Sequence, residues 1–358
     1  MQHLRINYVK SWELRVFQAK NDNFHMFIIN NNKLQRSNIM NNLRKIGLSA
    51  LAGSLATFSV NAADVTISGG GSITMADGDS GYSASGNKYS MGDSLTFAMS
   101  GETDGGIGVD VSYEIDGGAL DDYNLKMSGD WGSLNFAGHG GSSAFGAVDD
   151  KTPNAYEEAW AVIDDDHAGT TGGATVINGG GGNNMFIYTS PDMGGAVLQV
   201  AHQPGGAAAT TSYTDYSVVV SPEGVEGLTV GAAMADQEIL SATSVDLEET
   251  TVFVTYAVGS FTVGVQQSDY DHGTANSDAE STAIGISYAV NDDMSISYNT
   301  YDYETELSTD VDQESTGISA SITSGGLTLA GSMNEVQNIA GTTTRDSDAY
   351  EVTLTFAF

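Results

Sequence analysis

Between residues 140 and 183 the sequence holds seven carboxylates: Asp149, Asp150, Glu157, Glu158, Asp164, Asp165 and Asp166. Carboxylates at this density can set up a field that favours cations. They can also wrap a hard cation in oxygen ligands. The run Asp164, Asp165, Asp166 is the candidate for Ca²⁺, although neither an EF-hand loop nor a glycine–aspartate nonapeptide repeat accompanies it. No other cofactor is called for. The ordinary role of surface acids is to solvate loops, and that role accounts for most of the others in the chain. Catalysis has weaker support. His139, His167, His202 and His272 each lie in or beside a loop, and no G-x-S-x-G elbow is present. The same stretch also carries Phe145, Tyr156, Trp160, Val162 and Ile163. A solvated, disordered loop does not carry apolar residues at that rate. Residues 140–183 are therefore expected to fold against a wall, apolar side chains inward and carboxylates toward an opening.

The wall must come from the flanking sequence, which alternates. Strand-like runs are predicted at 64–75, 94–102, 107–115, 123–128, 133–139, 184–190, 196–202, 213–221, 228–236, 249–257, 261–269, 281–289, 294–303, 314–322, 327–335 and 347–358. In 249–258, Val252, Val254, Tyr256 and Val258 alternate with Thr251, Phe253, Thr255 and Ala257. Short glycine- and aspartate-rich turns take turns with long, polar, acidic connectors at 76–93, 116–122, 140–183, 203–212, 237–248, 270–280, 304–313 and 336–346. Aromatics recur near strand ends, as girdles at a lipid boundary do, although β-propensity alone also places them there.

No run of 18 apolar residues exists, so no membrane-spanning helix is available. Barrel strands need no such run. The pattern predicts an all-β fold: a 16-stranded antiparallel transmembrane β-barrel with short periplasmic turns, long outer loops, and the third loop folded into the lumen. A soluble sandwich shares the period. It would require several domains without visible linkers, and strand centres richer in lysine and glutamate. On the opposite phase from Val109, Val111 and Tyr113 lie Asp110, Ser112 and Glu114, which are expected to line the lumen. Lys126 is placed there too, because Leu125 and Met127 take the lipid face.

Residues 40–63 read as a signal peptide: Arg44 and Lys45, an apolar stretch from Ile46 to Val60, then small residues at Ala62 and Ala63. Residues 1–39 precede it and are expected to be a mis-called N-terminal extension, leaving 64–358 as the barrel. From Asp64 onward the chain has 4 basic residues against 44 acidic ones, which excludes a basic nucleic-acid surface. The absence of cysteine excludes disulfides and thiolate metal sites.

The stretches "SLTFAMSGETDGGIGVDVSYEIDGG" (94–118) and "LKMSGDWGSLNFAGHGGSSAFGAV" (125–148), with the terminal Phe358, resemble the general diffusion porins of Gram-negative outer membranes. The resemblance extends over 64–358. It implies a passive, water-filled channel for small hydrophilic solutes in the outer membrane, assembled as a homotrimer. It also implies that the third loop narrows the pore, its acids facing basic residues on the opposite wall. Here those basic residues are nearly missing, so an eyelet negative on more than one side, and a cation preference, are expected. Phe358 is implied as the signal read by the barrel-insertion machinery. A substrate-preferring channel, an outer-membrane enzyme and an adhesin are the alternatives.

Overall fold

The computed structural model describes residues 13–18, 24–29, 64–78, 88–163, 176–205, 212–238, 247–272, 278–306 and 311–358. The chain divides into two units, 1–63 and 64–358. In the first, Glu13–Gln18 and Phe24–Ile29 pair as an antiparallel hairpin. The signal segment expected at 40–63 lies outside the described residues.

The second unit is a closed barrel of 16 strands. In chain order they are β1 (Asp64–Gly78), β2 (Tyr89–Glu102), β3 (Gly108–Asp116), β4 (Ala119–Gly129), β5 (Gly132–His139), β6 (Met185–Thr189), β7 (Ala196–Gln203), β8 (Ser212–Val220), β9 (Leu228–Glu238), β10 (Leu247–Val258), β11 (Phe261–Asp271), β12 (Ala279–Asn291), β13 (Met294–Thr305), β14 (Gln313–Ser324), β15 (Leu327–Gln337) and β16 (Ser347–Ala357). Every neighbouring pair is antiparallel, and β16 closes on β1 from Ala349↔Gly78 to Ala357↔Gly70. Closure leaves no edge with unpaired backbone groups, the condition for a sheet to cross lipid.

The period-2 pattern sorts side chains onto two faces. On β10, Val252 and Val254 are 54% and 44% exposed, whereas Thr251 and Phe253 are 1% and 3% exposed. The same division runs along β16: Val352, Leu354 and Phe356 look out, while Glu351 and Thr353 are buried inside. A continuous apolar outer face is costly in water and favourable in hydrocarbon, at about 25 cal/mol per Å² of apolar surface removed from water. The barrel is therefore turned inside out relative to a soluble one: lipid is its outer solvent, and its polar groups face the lumen.

All the predicted strands are present, within a few residues at their ends. The connector predicted at 116–122 is the exception. Its only turn residues are Gly117 and Gly118, with φ of 55° and 79°, and Ala119 already belongs to β4. Two successive residues with positive φ make the hairpin turn that fits strand twist, and glycine adopts it without strain. The acids Asp121 and Asp122 made this segment look like loop, but they are strand residues.

Residue 358 lies one position beyond β16, yet its backbone is paired. Phe358 N–H donates to Gly69 O at 2.9 Å, and Gly69 N–H donates to Phe358 O at 3.1 Å. Its ring is 68% exposed on the outer face, 6.3 Å from that of Phe356.

Candidate functional site

The described parts of the long connector between β5 and β6, residues 140–163 and 176–184, run inside the barrel, and wall side chains hold their backbone along the way. At its root, the carboxylate of Asp215 on β8 is fully buried. It accepts the N–H groups of Ala144 (3.2 Å) and Phe145 (2.7 Å) and the hydroxyl of Tyr213 (3.0 Å). That hydroxyl in turn accepts Gly180 N–H at 2.9 Å, so β8 grips the outgoing and returning limbs together. Between the limbs, Gly141–Ser142 pairs with Gly181–Gly182. Phe145 and Val148 pack against Met185, Tyr213 and Phe253 in one buried cluster.

Farther along, Lys151 N–H donates to Gln266 Oε1 (2.7 Å) on β11, and Asn299 Nδ2 on β13 donates to Pro153 O (2.7 Å). Tyr156 N–H donates to Ser319 Oγ (3.1 Å) on β14, and Asn334 Nδ2 on β15 donates to Glu158 O (2.8 Å). Tyr156 OH reaches Glu351 on β16 at 2.5 Å. The short 3₁₀ turn Ala161–Ile163 buries Val162 and Ile163 against Val336 and Ala349. The loop thus follows the inner wall from β8 round to β16.

Glycines let it lie that close. A Cβ on Gly264 would fall 2.6 Å from Pro153 Cδ, one on Gly285 2.8 Å from Pro153 O, and one on Gly317 2.8 Å from Ala159 Cα. Gly264 and Gly285 are direct cross-strand partners, and all three face inward. Glycine inside a strand marks the close approach of another backbone.

The predicted acids divide three ways. Asp149, Asp150 and Glu158 come together on the loop, with Asn154 Nδ2 donating to Glu158 Oε1 at 2.6 Å. Burial pushes the Asp149 carboxyl up to about 6, against the pull of Lys151. Burial also pushes Asp150 upward, reinforced by its hydrogen bond and repulsion with Glu158. Glu157 lies half-buried on the same segment, near the Tyr156 hydroxyl. That hydroxyl is itself raised by burial and by Glu351. Asp164, Asp165 and Asp166, and with them the expected Ca²⁺ position, lie outside the described residues. Asp149 and Asp150 also border a cavity of about 180 Å³ between loop and wall, with Gln266, Ser281 and Tyr301 on its far side.

On the opposite arc, Ser112 Oγ accepts Asn124 Nδ2 at 2.7 Å. Lys126 stands directly across from Asp110 and Asn135, while Leu125 and Met127 lie exposed on the outer phase. Glu114 sits at a register shift between Tyr113 and Ile115 and opposes Thr96. The four basic residues from Asp64 onward are Lys88, Lys126, Lys151 and Arg345. Lys88 pairs with Asp77. Sequence reasoning missed Tyr213, Asp215 and Gln266, the wall groups that hold the loop. Their inward phase was readable; their partners, 33 to 115 residues away, were not.

The sequence profile of Gram-negative porins matches residues 47–315. The chain belongs to that family. It is an outer-membrane diffusion channel whose membrane-crossing elements are strands. No curated protein matches the sequence. Among solved structures, it resembles a porin refined at 1.8 Å, with 16% identity, TM-score 0.60, and 82% of this chain and 100% of that one covered. An anion-selective porin from Comamonas acidovorans gives 17% identity and TM-score 0.61, over 83% and 100% of the two chains. The trimer form of OmpT from Vibrio cholerae gives 9% identity and TM-score 0.60, again over 83% and 100%. At these identities the likeness is one of fold.

Proposed function

We propose that the protein forms a water-filled pore through which small hydrophilic solutes diffuse passively, with cations preferred over anions. The observation that carries this reading is the loop segment of residues 140–163, laid along the inner wall with Asp149, Asp150 and Glu158 gathered on it. Rings of carboxylates favour cations, whereas arginine and lysine rings favour anions. Among the described residues of the barrel strands, only Lys126 brings a basic side chain to the inward phase, and it faces Asp110. Fold alone does not choose the sign, since an anion-selective porin shares it. The choice rests on this chain's own charges. Passive conduction needs no reacting group and no cofactor; the walls act by size and by field.

Further parts of the reading concern assembly. Residues 40–63 direct export, Phe358 marks the last strand for insertion, and three copies associate in the membrane, as in the trimer form of OmpT. Liposome swelling tests the function. Cationic, neutral and anionic solutes of equal size are expected to enter in that order of rate, with a size cut-off common to all three. Equal rates for all charges, or faster anion entry, would contradict the cation preference. No swelling with any solute would contradict the pore.

A further inference from the structure

The sequence "GHGG" at 138–141 places one histidine between glycines at the root of the third loop, a feature that diffusion does not use. His139 is the last residue of β5, and a register shift in the β4–β5 pairing sets it opposite Tyr123. The two rings lie nearly parallel, 17° apart, with centroids 6.5 Å apart. Its Nδ1 lies 3.5 Å from Asp122 Oδ1 and 3.7 Å from Asp121 Oδ1. One donor atom from each of the three side chains lies within 4.8 Å of the other two.

The flanking glycines create this arrangement. A Cβ on Gly138 would fall 2.0 Å from the Tyr123 ring, and one on Gly140 would fall 1.6 Å from Asp122 Oδ1. Any other residue at 140 would displace that carboxylate. Among the described residues, neither aspartate pairs with a lysine or arginine.

We propose that Asp121, Asp122 and His139 bind one divalent transition-metal ion of the Zn²⁺ class. Two carboxylate oxygens and one imidazole nitrogen are a common three-ligand set, with water completing the shell. Bonds of about 2.0–2.1 Å in a tetrahedron put ligand atoms roughly 3.3 Å apart. The two imidazole-to-carboxylate distances, 3.5 and 3.7 Å, need a few tenths of an ångström of closure, and the two carboxylate oxygens, within 4.8 Å of each other, close by rotation of partly exposed side chains. The imidazole sets the preference, because Mg²⁺ and Ca²⁺ take oxygen ligands and gain little from it. It also separates this group from the all-carboxylate surfaces elsewhere on the barrel. The ion would tie β4 to the first residues of the loop, since Gly140 follows His139 directly and its N–H donates to Asn183 Oδ1 on the returning limb.

The test is calorimetric titration of ZnCl₂ into untagged, EDTA-treated, detergent-solubilised full-length protein. Binding of one Zn²⁺ per chain is expected, weakened at least tenfold in His139→Ala and in Asp122→Asn. A hundredfold excess of MgCl₂ should leave the affinity within a factor of two. Heat-modifiable gel migration of each variant checks that the barrel is intact. Cobalt substitution gives a second readout: visible d–d bands present in the parent protein and absent in His139→Ala. Absence of Zn²⁺ binding in the parent, unchanged affinity in folded His139→Ala, or equal displacement by Mg²⁺ would overturn the proposal.

Discussion

Single residues decide where the third loop sits. Asp215 is a fully buried carboxylate, and it is held by two backbone N–H groups and the Tyr213 hydroxyl. Removing it would leave buried donors without acceptors, at about 1–3 kcal/mol for each group left unpaired. Asp215→Ala is therefore expected to free the loop root. Single-channel records should show added substates and flicker, and protease should cut within 140–183, while the barrel still migrates as folded on unheated gels. Quiet records and a protected loop would show that β8 is not the anchor.

Asp149 is a buried, titratable member of the loop's acid cluster. Its carboxyl is pushed up to about 6 by burial. Below that value it is neutral, and above it the loop gains a negative charge. Cation preference should thus rise as pH increases from 5 to 7, and the rise should flatten in Asp149→Asn. Selectivity that is constant across this range in the parent would remove Asp149 from the field of the pore.

At the scale of elements, the inner wall is shaped to receive the loop. Gly264, Gly285 and Gly317 leave no room for a side chain beneath Pro153 and Ala159. Gly317→Val is expected to push the segment around Ala159 off β14 and change single-channel conductance by a measurable fraction, with the strands themselves intact. An unchanged conductance would mean that the loop yields without altering the opening.

This scale also separates what is legible in the chain from what is not. The strands can be read because lipid on one side and a polar lumen on the other enforce alternation over every run. The turn at Gly117–Gly118 is obscured because Asp121 and Asp122 lend the start of β4 a loop-like composition. The cluster of acids on the third loop is apparent from composition alone. The path of that loop is not. It depends on Asp215, Gln266, Asn299 and Asn334, polar residues whose inward phase is clear but whose partners are set only when the barrel closes. The inward glycines look like any other small residues of a lumen face until a backbone is laid on them.

For the whole molecule, the sign of the charge is the dominant feature. Its 44 acidic and 4 basic residues from Asp64 onward extend well past the third loop. Toward the loop end of β9–β16, carboxylates on the outward phase stand directly opposite one another: Asp236↔Glu248, Glu248↔Asp271, Asp269↔Glu280, Glu280↔Glu304, Asp302↔Glu314 and Glu335↔Asp348. Like charges so placed destabilise a sheet. They also give that half of the barrel mouth a negative potential, whose reach is about 10 Å at 0.1 M salt and about 3 Å at 1 M. On the proposed reading, rim and loop carboxylates act in the same direction, and the rim's share fades as salt rises.

The central claim, that these charges make the diffusion channel prefer cations, is tested most directly by reversal potential in planar bilayers under a tenfold KCl gradient. The sign should correspond to K⁺ permeating faster than Cl⁻, with the larger permeability ratio when the dilute side is near 0.01 M and a smaller one when it is near 0.1 M. A potential of the opposite sign, or none at either concentration, would contradict the account.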